Sequence, residues 1–530
     1  MPRFRTVRPV LLLALAITAW AVRGRTQTPS AGRTLLQTIG LPAVDRGVLA
    51  GALRGPANPA VVNRPAVRSA GAIIDRIGAS GGHYVPGRLI VKFRDGTSTA
   101  RRLGVMAALS GRGRPATMRE RPSYADFDIV RIDPNADAEE MARVVSQRSD
   151  VEYAQADYRV YPRFVPNDRY YGELQWNLPL ISMERAWDIQ PQAGSDITVA
   201  VLDTGMAYEN VTMGFHADAF TDNGVNFPAL GDVRVPFAAA ADIVNSGRVV
   251  SPHDFIWDDN NPVDLDGHGT HVSGTIGELT NNGVGLAGVA FNVKLMPVKV
   301  IDSNWDDIFG SPEFGSDEVV ARGIRYAVDN GAKILNMSIG RTGAPAPVIE
   351  DAVNYAVSKG AFVAIAGGND FEDGNTVEVL AEIASRVQGA VSVAAVDRAK
   401  QHAFYSNTGS YIELAAPGGS DRGFGAPDFG AVWQETYDYT YTDTFKDVSH
   451  YEAPRFDILA YVGYIGTSMA VPHVSGVAAM LMQQGITDPK AIEAALELFA
   501  DDLGNPGRDD TFGYGLINAQ RTLRGLGLAK

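Results

Sequence analysis

From Asp196 onward, continuous apolar runs alternate with stretches of helical spacing. DITVAVLD, VKLMPVKVID, KILNMSIG and FVAIAGG read as fully buried strands. Between or after them, HVSGTIGEL, DEVVARGIRYAVDNGA, PVIEDAVNYAVSKGA, VSGVAAMLMQQG and PKAIEAALELFA repeat their apolar residues every three to four positions. Strands that are apolar throughout must be covered on both faces, and helices alternating with them supply the cover. The pattern predicts an α/β fold with a doubly wound, mostly parallel sheet. In such sheets the working side chains gather at the carboxyl ends of the strands.

The chain has 530 residues, long enough for more than one domain. Arg3, Arg5 and Arg8 precede VLLLALAITAWAV, and Ala19-Trp20-Ala21 offers a small-residue cleavage site. That layout predicts a secretory leader over residues 1–21. Its apolar run is about 13 residues, short of the roughly 20 needed to span a bilayer. Residues 22–82, rich in Ala, Gly, Arg and Pro, read as a flexible linker. Residues 83–162 run strand, helix, strand, helix, strand (PGRLIVKF, ARRLGVMAALSG, YADFDIVRID, ADAEEMARVVSQR, VEYAQADYRVY), a small α+β domain. Residues 163–530 hold the large domain.

There are no cysteines, which excludes disulfides and thiolate chemistry. An exported chain of this kind needs another brace, and bound cations are one. Residues 1–162 carry 24 Lys/Arg against 13 Asp/Glu, and the remainder 23 against 48. A basic N-terminal part and an acidic body attract each other. The acidic field argues against nucleic acid as a partner.

Three stretches carry candidate chemistry. Asp203 ends the strand DITVAVLD. His268 and His271 lie in DGHGTHVSGT, which leads into a helix. Ser468 follows Gly466-Thr467 and opens another helix. A serine hydroxyl needs a histidine base and a carboxylate to orient it. Each residue alone reads as a turn, structural or capping residue. As an ordered set, all at element ends, they point to nucleophilic catalysis.

VAVLDTG, DGHGTHVSGT and GTSMAVPHVSG resemble the three signature blocks of the subtilase (subtilisin-like) serine peptidases, in that family's order. The resemblance covers roughly residues 165–525. It implies that Asp203 orients the base, His268 is the general base and Ser468 the nucleophile. It implies Asn369, in VAIAGGND, as an oxyanion-hole donor beside the Ser468 N–H. It places Ser338-Ile339-Gly340 and Ala366-Gly367-Gly368 as two walls of the primary specificity pocket. VPGRLIVKF and DVEYAQADYRVY resemble the outer strands of the subtilase propeptide inhibitor, so cleavage is expected near residues 158–170. The implied product is a secreted serine endopeptidase, made as a self-processing zymogen, extracellular or periplasmic. Its partners are protein or peptide substrates and its own propeptide, with no nucleic acid and no membrane after leader removal. A monomer is expected.

The sequence departs from a compact subtilase in three places. Residues 206–252, 304–315 and 420–461 read as insertions that either rim the cleft or decorate the surface. Structural Ca²⁺ is the expected brace, and no organic cofactor is expected. DFIWDDNNPVDLD resembles one family calcium loop, with Asp254, Asp259 and Asn261 in ligand-like places and Trp257 where an acid belongs. LTNNGVG resembles another, with Asn282 as side-chain ligand and no acidic partner legible. His271 and His473 read as structural. Pro472 predicts an irregular first turn after Ser468, because it lacks the N–H that would bond the Ser468 carbonyl. The rival to an enzyme is a catalytically dead binding protein on the same scaffold. A narrow processing protease is the other.

Overall fold

The computed structural model describes residues 84–158 and 164–525, apart from 110–116, 119–120, 122–123, 245–246 and 423–429. The expected leader and linker lie outside the described residues. The chain divides into two compact units between Arg163 and Phe164.

The smaller unit is a four-stranded antiparallel sheet in the order Thr117–Met118, Asp128–Arg131, Tyr84–Phe93, Val151–Tyr158. Alternation in the first strand turns Leu89, Val91 and Phe93 inward. They pack with Val130, Ala142 and Val145 in one core. Asp137 caps the helix Ala138–Ser146, accepting from the N–H groups of Glu139 and Glu140 at 3.0 and 3.1 Å. The two-residue strand Thr117–Met118 has too few residues to show a sequence period.

The larger unit is built on seven parallel strands. Their order is His253–Asp254, Lys294–Lys299, Thr198–Asp203, Ile334–Met337, Phe362–Ala366, Ala390–Val396, Leu414–Pro417. The strand ending at Asp203 comes first in sequence. The chain then moves to one side of it and later returns to the other, so Asp203 ends the strand at the switch point. Val199 and Val201 face one core, and Ala200 and Leu202 face the opposite one. Helices His268–Gly277 and Thr467–Gln483 pack into the first core, and Asp317–Asp329 and Pro347–Ser358 into the second. Burying each such Val or Leu contributes roughly 1.5–3 kcal/mol, which leaves polar residues to the strand ends.

Among the described residues, the three stretches read as insertions are joined by aromatic side chains. Residues 206–252 contain the antiparallel pair Val211–Ala217 and Gly231–Phe237. Residues 304–315 open with the helix Asn304–Phe309, which carries a capping box at Ser303 and Asp306. The third holds the strand Val432–Tyr437, whose antiparallel partner Leu459–Tyr464 closes it. Phe215 stacks on Phe309 with ring centroids 4.4 Å apart, Phe237 on Phe456 at 5.1 Å, and Trp305 meets Phe445 at 5.7 Å. This substructure grips the His268 helix. Thr436 Oγ1 donates to the Gly267 carbonyl at 2.6 Å, and His271 Nε2 lies 3.1 and 3.2 Å from the Val432 and Val462 carbonyls.

Candidate active site

Asp203 is fully buried at the carboxyl end of its strand. His268 is the first residue of its helix. Gly267 before it has φ +112°, a left-handed conformation that L side chains rarely adopt, and a Cβ there would press 2.8 Å from Thr436 Oγ1. His268 Nδ1 donates to Asp203 Oδ1 at 2.7 Å, and the Thr204 N–H donates to the same oxygen at 2.8 Å. Burial alone would lower the His268 pKa. The Asp203 charge and hydrogen bond, aided by Asp266 and Asp264, push it up to about 9. His268 Nε2 is buried with no hydrogen-bond partner among the described residues.

Ser468 lies in the first turn of its helix and caps nothing; the N-cap is Gly466. Its hydroxyl donates to the Ser338 carbonyl at 3.1 Å. The Ser468 and His268 helices pack against each other. The helix runs unbroken through Thr467–Gln483 with Pro472 inside it. Ser338 Oγ donates to the Ser468 carbonyl at 2.8 Å, replacing the N–H that Pro472 lacks.

Asn369 follows the strand Phe362–Ala366. Its Oδ1 accepts from the Thr467 N–H at 2.9 Å and the Thr467 hydroxyl at 3.0 Å. Those bonds fix the amide and leave Nδ2 as a donor. The point where a Gly466 Cβ would stand is 3.7 Å from Ser468 N and 3.8 Å from Asn369 Nδ2, so both donors flank one spot. Ser338, Ile339 and Gly340 continue the strand Ile334–Met337, and Ala366, Gly367 and Gly368 end the adjacent one.

The candidate cation ligands divide. Asp254 Oδ1 accepts from the N–H groups of Ile256 and Trp257, and Asp259 Oδ1 accepts from the Asn261 N–H. The fully buried Lys299 ammonium, 2.8 Å from Asp306, already supplies positive charge beside Asp254. Trp257 turns its indole N–H to Asp306 at 2.7 Å. Asp254 Oδ2 is buried without a partner, but it faces the field of that ammonium. At this loop Asp254 Oδ1 and Asp259 Oδ1 hold backbone N–H groups while Asp254 Oδ2 is left over, and burial pushes Asp254 up to about 7 despite the Lys299 charge.

Asn282 differs. Its Nδ2 donates to Asp242 Oδ1 at 2.5 Å, and Asp168 accepts from the Asn281 and Asn282 N–H groups at 2.7 and 3.1 Å. Asp242 Oδ2 and both Glu278 oxygens are buried without partners. Burial pushes Asp242 up to about 6, with the Asp168 charge adding to it, and pushes Glu278 well above the usual carboxylate range, with the Asp242 and Glu435 charges adding to it. An oxygen-only donor set with uncompensated negative charge fits a hard cation. Asp168, Asp242 and Glu278 carry no local signature; they stand at distant positions that only the fold brings together.

The comparisons with known proteins bear on this arrangement. The subtilase family model matches residues 194–515, more than half the chain. The chain belongs to the subtilase family. It is accordingly a serine endopeptidase. The fervidolysin N-terminal prodomain model matches residues 75–157 of this subtilase. A thermophilic serine proteinase of Bacillus sp. strain AK1 is 30% identical over 438 residues, covering 83% of this chain and 87% of the relative. Thermitase of Thermoactinomyces vulgaris is 31% identical over 361 residues, covering 68% and 100%. A solved protease from Pseudoalteromonas arctica superposes with TM-score 0.52 at 28% identity, covering 69% of this chain and all of its own.

Proposed function

We propose that this subtilase is a secreted, self-processing endopeptidase in which Ser468 attacks the scissile carbonyl. His268 takes the hydroxyl proton and later returns it to the leaving amine. Asp203 holds the imidazole and stabilises its charged form. The Asn369 amide and the Ser468 N–H receive the oxyanion, and water releases the acyl-enzyme. The observation that carries this reading is the 2.7 Å bond from His268 to Asp203, with a free Nε2 on the opposite side of the ring. Ser468 Oγ is bonded to the Ser338 carbonyl and would have to leave it to meet that nitrogen.

The prodomain match supports synthesis as a zymogen, with residues 83–162 as the intramolecular inhibitor. The leader-like residues 1–21 support export, and a 30% identical relative from Xanthomonas campestris is named an extracellular protease. Asp168, Asp242 and Asn282 would hold a structural Ca²⁺, which neutralises buried carboxylates and ties residues 164–170 to the loop 279–286. Fluorophosphonate labelling that vanishes in Ser468→Ala, together with accumulation of unprocessed precursor by that variant, tests the proposal. Normal maturation of Ser468→Ala in a host lacking other proteases would sink the self-processing claim.

A further inference from the structure

Gly340 and Gly368 stand on the two backbone segments that the subtilase resemblance assigns to opposite walls of the primary specificity pocket. Gly340 packs against the carboxyl of Glu378, a residue outside the signature blocks, and Gly368 against the Asn407 amide with the Glu378 Cβ beside it. Glu378 Oε1 and Oε2 lie 2.6 and 2.7 Å from where a Cβ on Gly340 would stand. The Glu378 Cβ lies 3.2 Å from the matching point on Gly368. The space that Gly340 leaves open is therefore filled by the glutamate's carboxyl, and that at Gly368 by Asn407.

Glu378 is only 3% exposed. Its Oε1 accepts from the N–H groups of Arg341 and Leu380, the latter capping the helix Val379–Ala384. These bonds hold the side chain in place without neutralising it. The Arg341 guanidinium is committed to Asp317 by two bonds of 2.6 Å. Burial pushes the Glu378 carboxyl up to about 8, and the Asp370 charge adds to the effect. The Arg341 charge offsets this only in part, so a cationic ligand beside the carboxyl would favour its ionised form and pair with it. Glu372 is paired with Arg422 at 2.7 and 2.9 Å on the surface.

We propose that Glu378 selects substrates with lysine or arginine at the P1 position, on the acyl side of the scissile bond, by pairing with their cationic head. The proposal rests on the peptidase reading above and names the substrate class of that site. The length of a lysine or arginine side chain suits a charge at the inner end of a slot whose walls are backbone. Uncharged long side chains would bring no such partner to the carboxyl.

The test uses the matured protein and peptides that differ only at P1, carrying Arg, Lys, Leu, Phe or Ala. Glu378→Gln keeps an Oε1 acceptor for Arg341 and Leu380, so the fold contacts persist. The parent is expected to cleave Arg and Lys peptides at least tenfold better than Leu in kcat/KM. In Glu378→Gln those two should fall roughly 30-fold or more, the scale of losing one partner of a buried charge pair, with Leu and Phe unchanged within threefold. A parent that prefers Leu, Phe or Ala overturns the proposal. So does a uniform fall across all five peptides, which would mark a packing role. No cleavage of any peptide and no fluorophosphonate labelling would overturn the peptidase reading itself, and this proposal with it.

Discussion

Ser338 Oγ donates to the carbonyl of Ser468 at 2.8 Å, and Ser468 Oγ donates back to the carbonyl of Ser338 at 3.1 Å. The exchange joins the strand edge to the first turn of the Ser468 helix. Behind it, Asn336 Nδ2 donates to Ser338 Oγ at 3.0 Å, and Ser475 Oγ donates to Asn336 Oδ1 at 2.8 Å. The nucleophile candidate therefore sits at the end of a buried polar chain. Removing one member leaves a buried carbonyl unsatisfied.

Ser338→Ala deletes the donor that stands in for the N–H missing at Pro472. The expected cost is about 1–3 kcal/mol of stability, read by thermal or denaturant unfolding. Peptidase kcat should fall with it, because the Ser468 backbone loses its anchor. Wild-type stability in this variant would show that the carbonyl finds another partner.

The pH profile follows from His268. Its imidazole is pushed up to about 9, and a protonated ring cannot accept the Ser468 proton. Activity is therefore present above that pKa and lost as pH falls through it, which puts the acid limb of kcat/KM on the alkaline side of neutrality. Asp266, whose Oδ1 accepts the His268 N–H at 3.0 Å, is one of the carboxylates raising it. Asp266→Asn should move the limb to lower pH. A limb that does not move would remove Asp266 from the account.

Asn369→Ala should lower kcat by about 10²–10³ with KM little changed, the signature of a donor used mainly in the transition state. Thr467 fixes the amide through two bonds, so Thr467→Val should reproduce part of the loss. Equal effects on KM and kcat would argue for a binding role instead.

Chelation tests the carboxylates around Asn282. A Ca²⁺ site held at a hundred times its Kd contributes about 2.7 kcal/mol. Excess chelator should therefore lower the melting temperature of the parent. Asp242→Asn should abolish that sensitivity; its loss in Asp254→Asn instead would place the ion at the Asp254 loop. A parent indifferent to chelator would refute the calcium proposal.

The sheet, its two helical faces and the placement of Asp203, His268, Ser468 and Asn369 at element ends were legible in the chain. Apolar strand runs, helical periods and glycine-bearing turns are local signals, and burial enforces them wherever they occur. The family resemblance rests on blocks of the same local kind. What remained hidden was non-local. Asp242 lies 40 positions from Asn282 and Thr436 lies 169 from Gly267, and no period links such pairs. Glu378 reads in sequence as one acid among several, and only tertiary packing puts it between Gly340 and Gly368 while Glu372 goes to Arg422 at the surface. The Pro472 signal pointed to a broken turn because the rescuing donor, Ser338, comes from a strand 130 residues away. Local pattern determines which elements form and where their reactive ends lie. The partners that satisfy buried charge and hydrogen-bonding groups are chosen by the fold, because desolvation penalises any such group left without one.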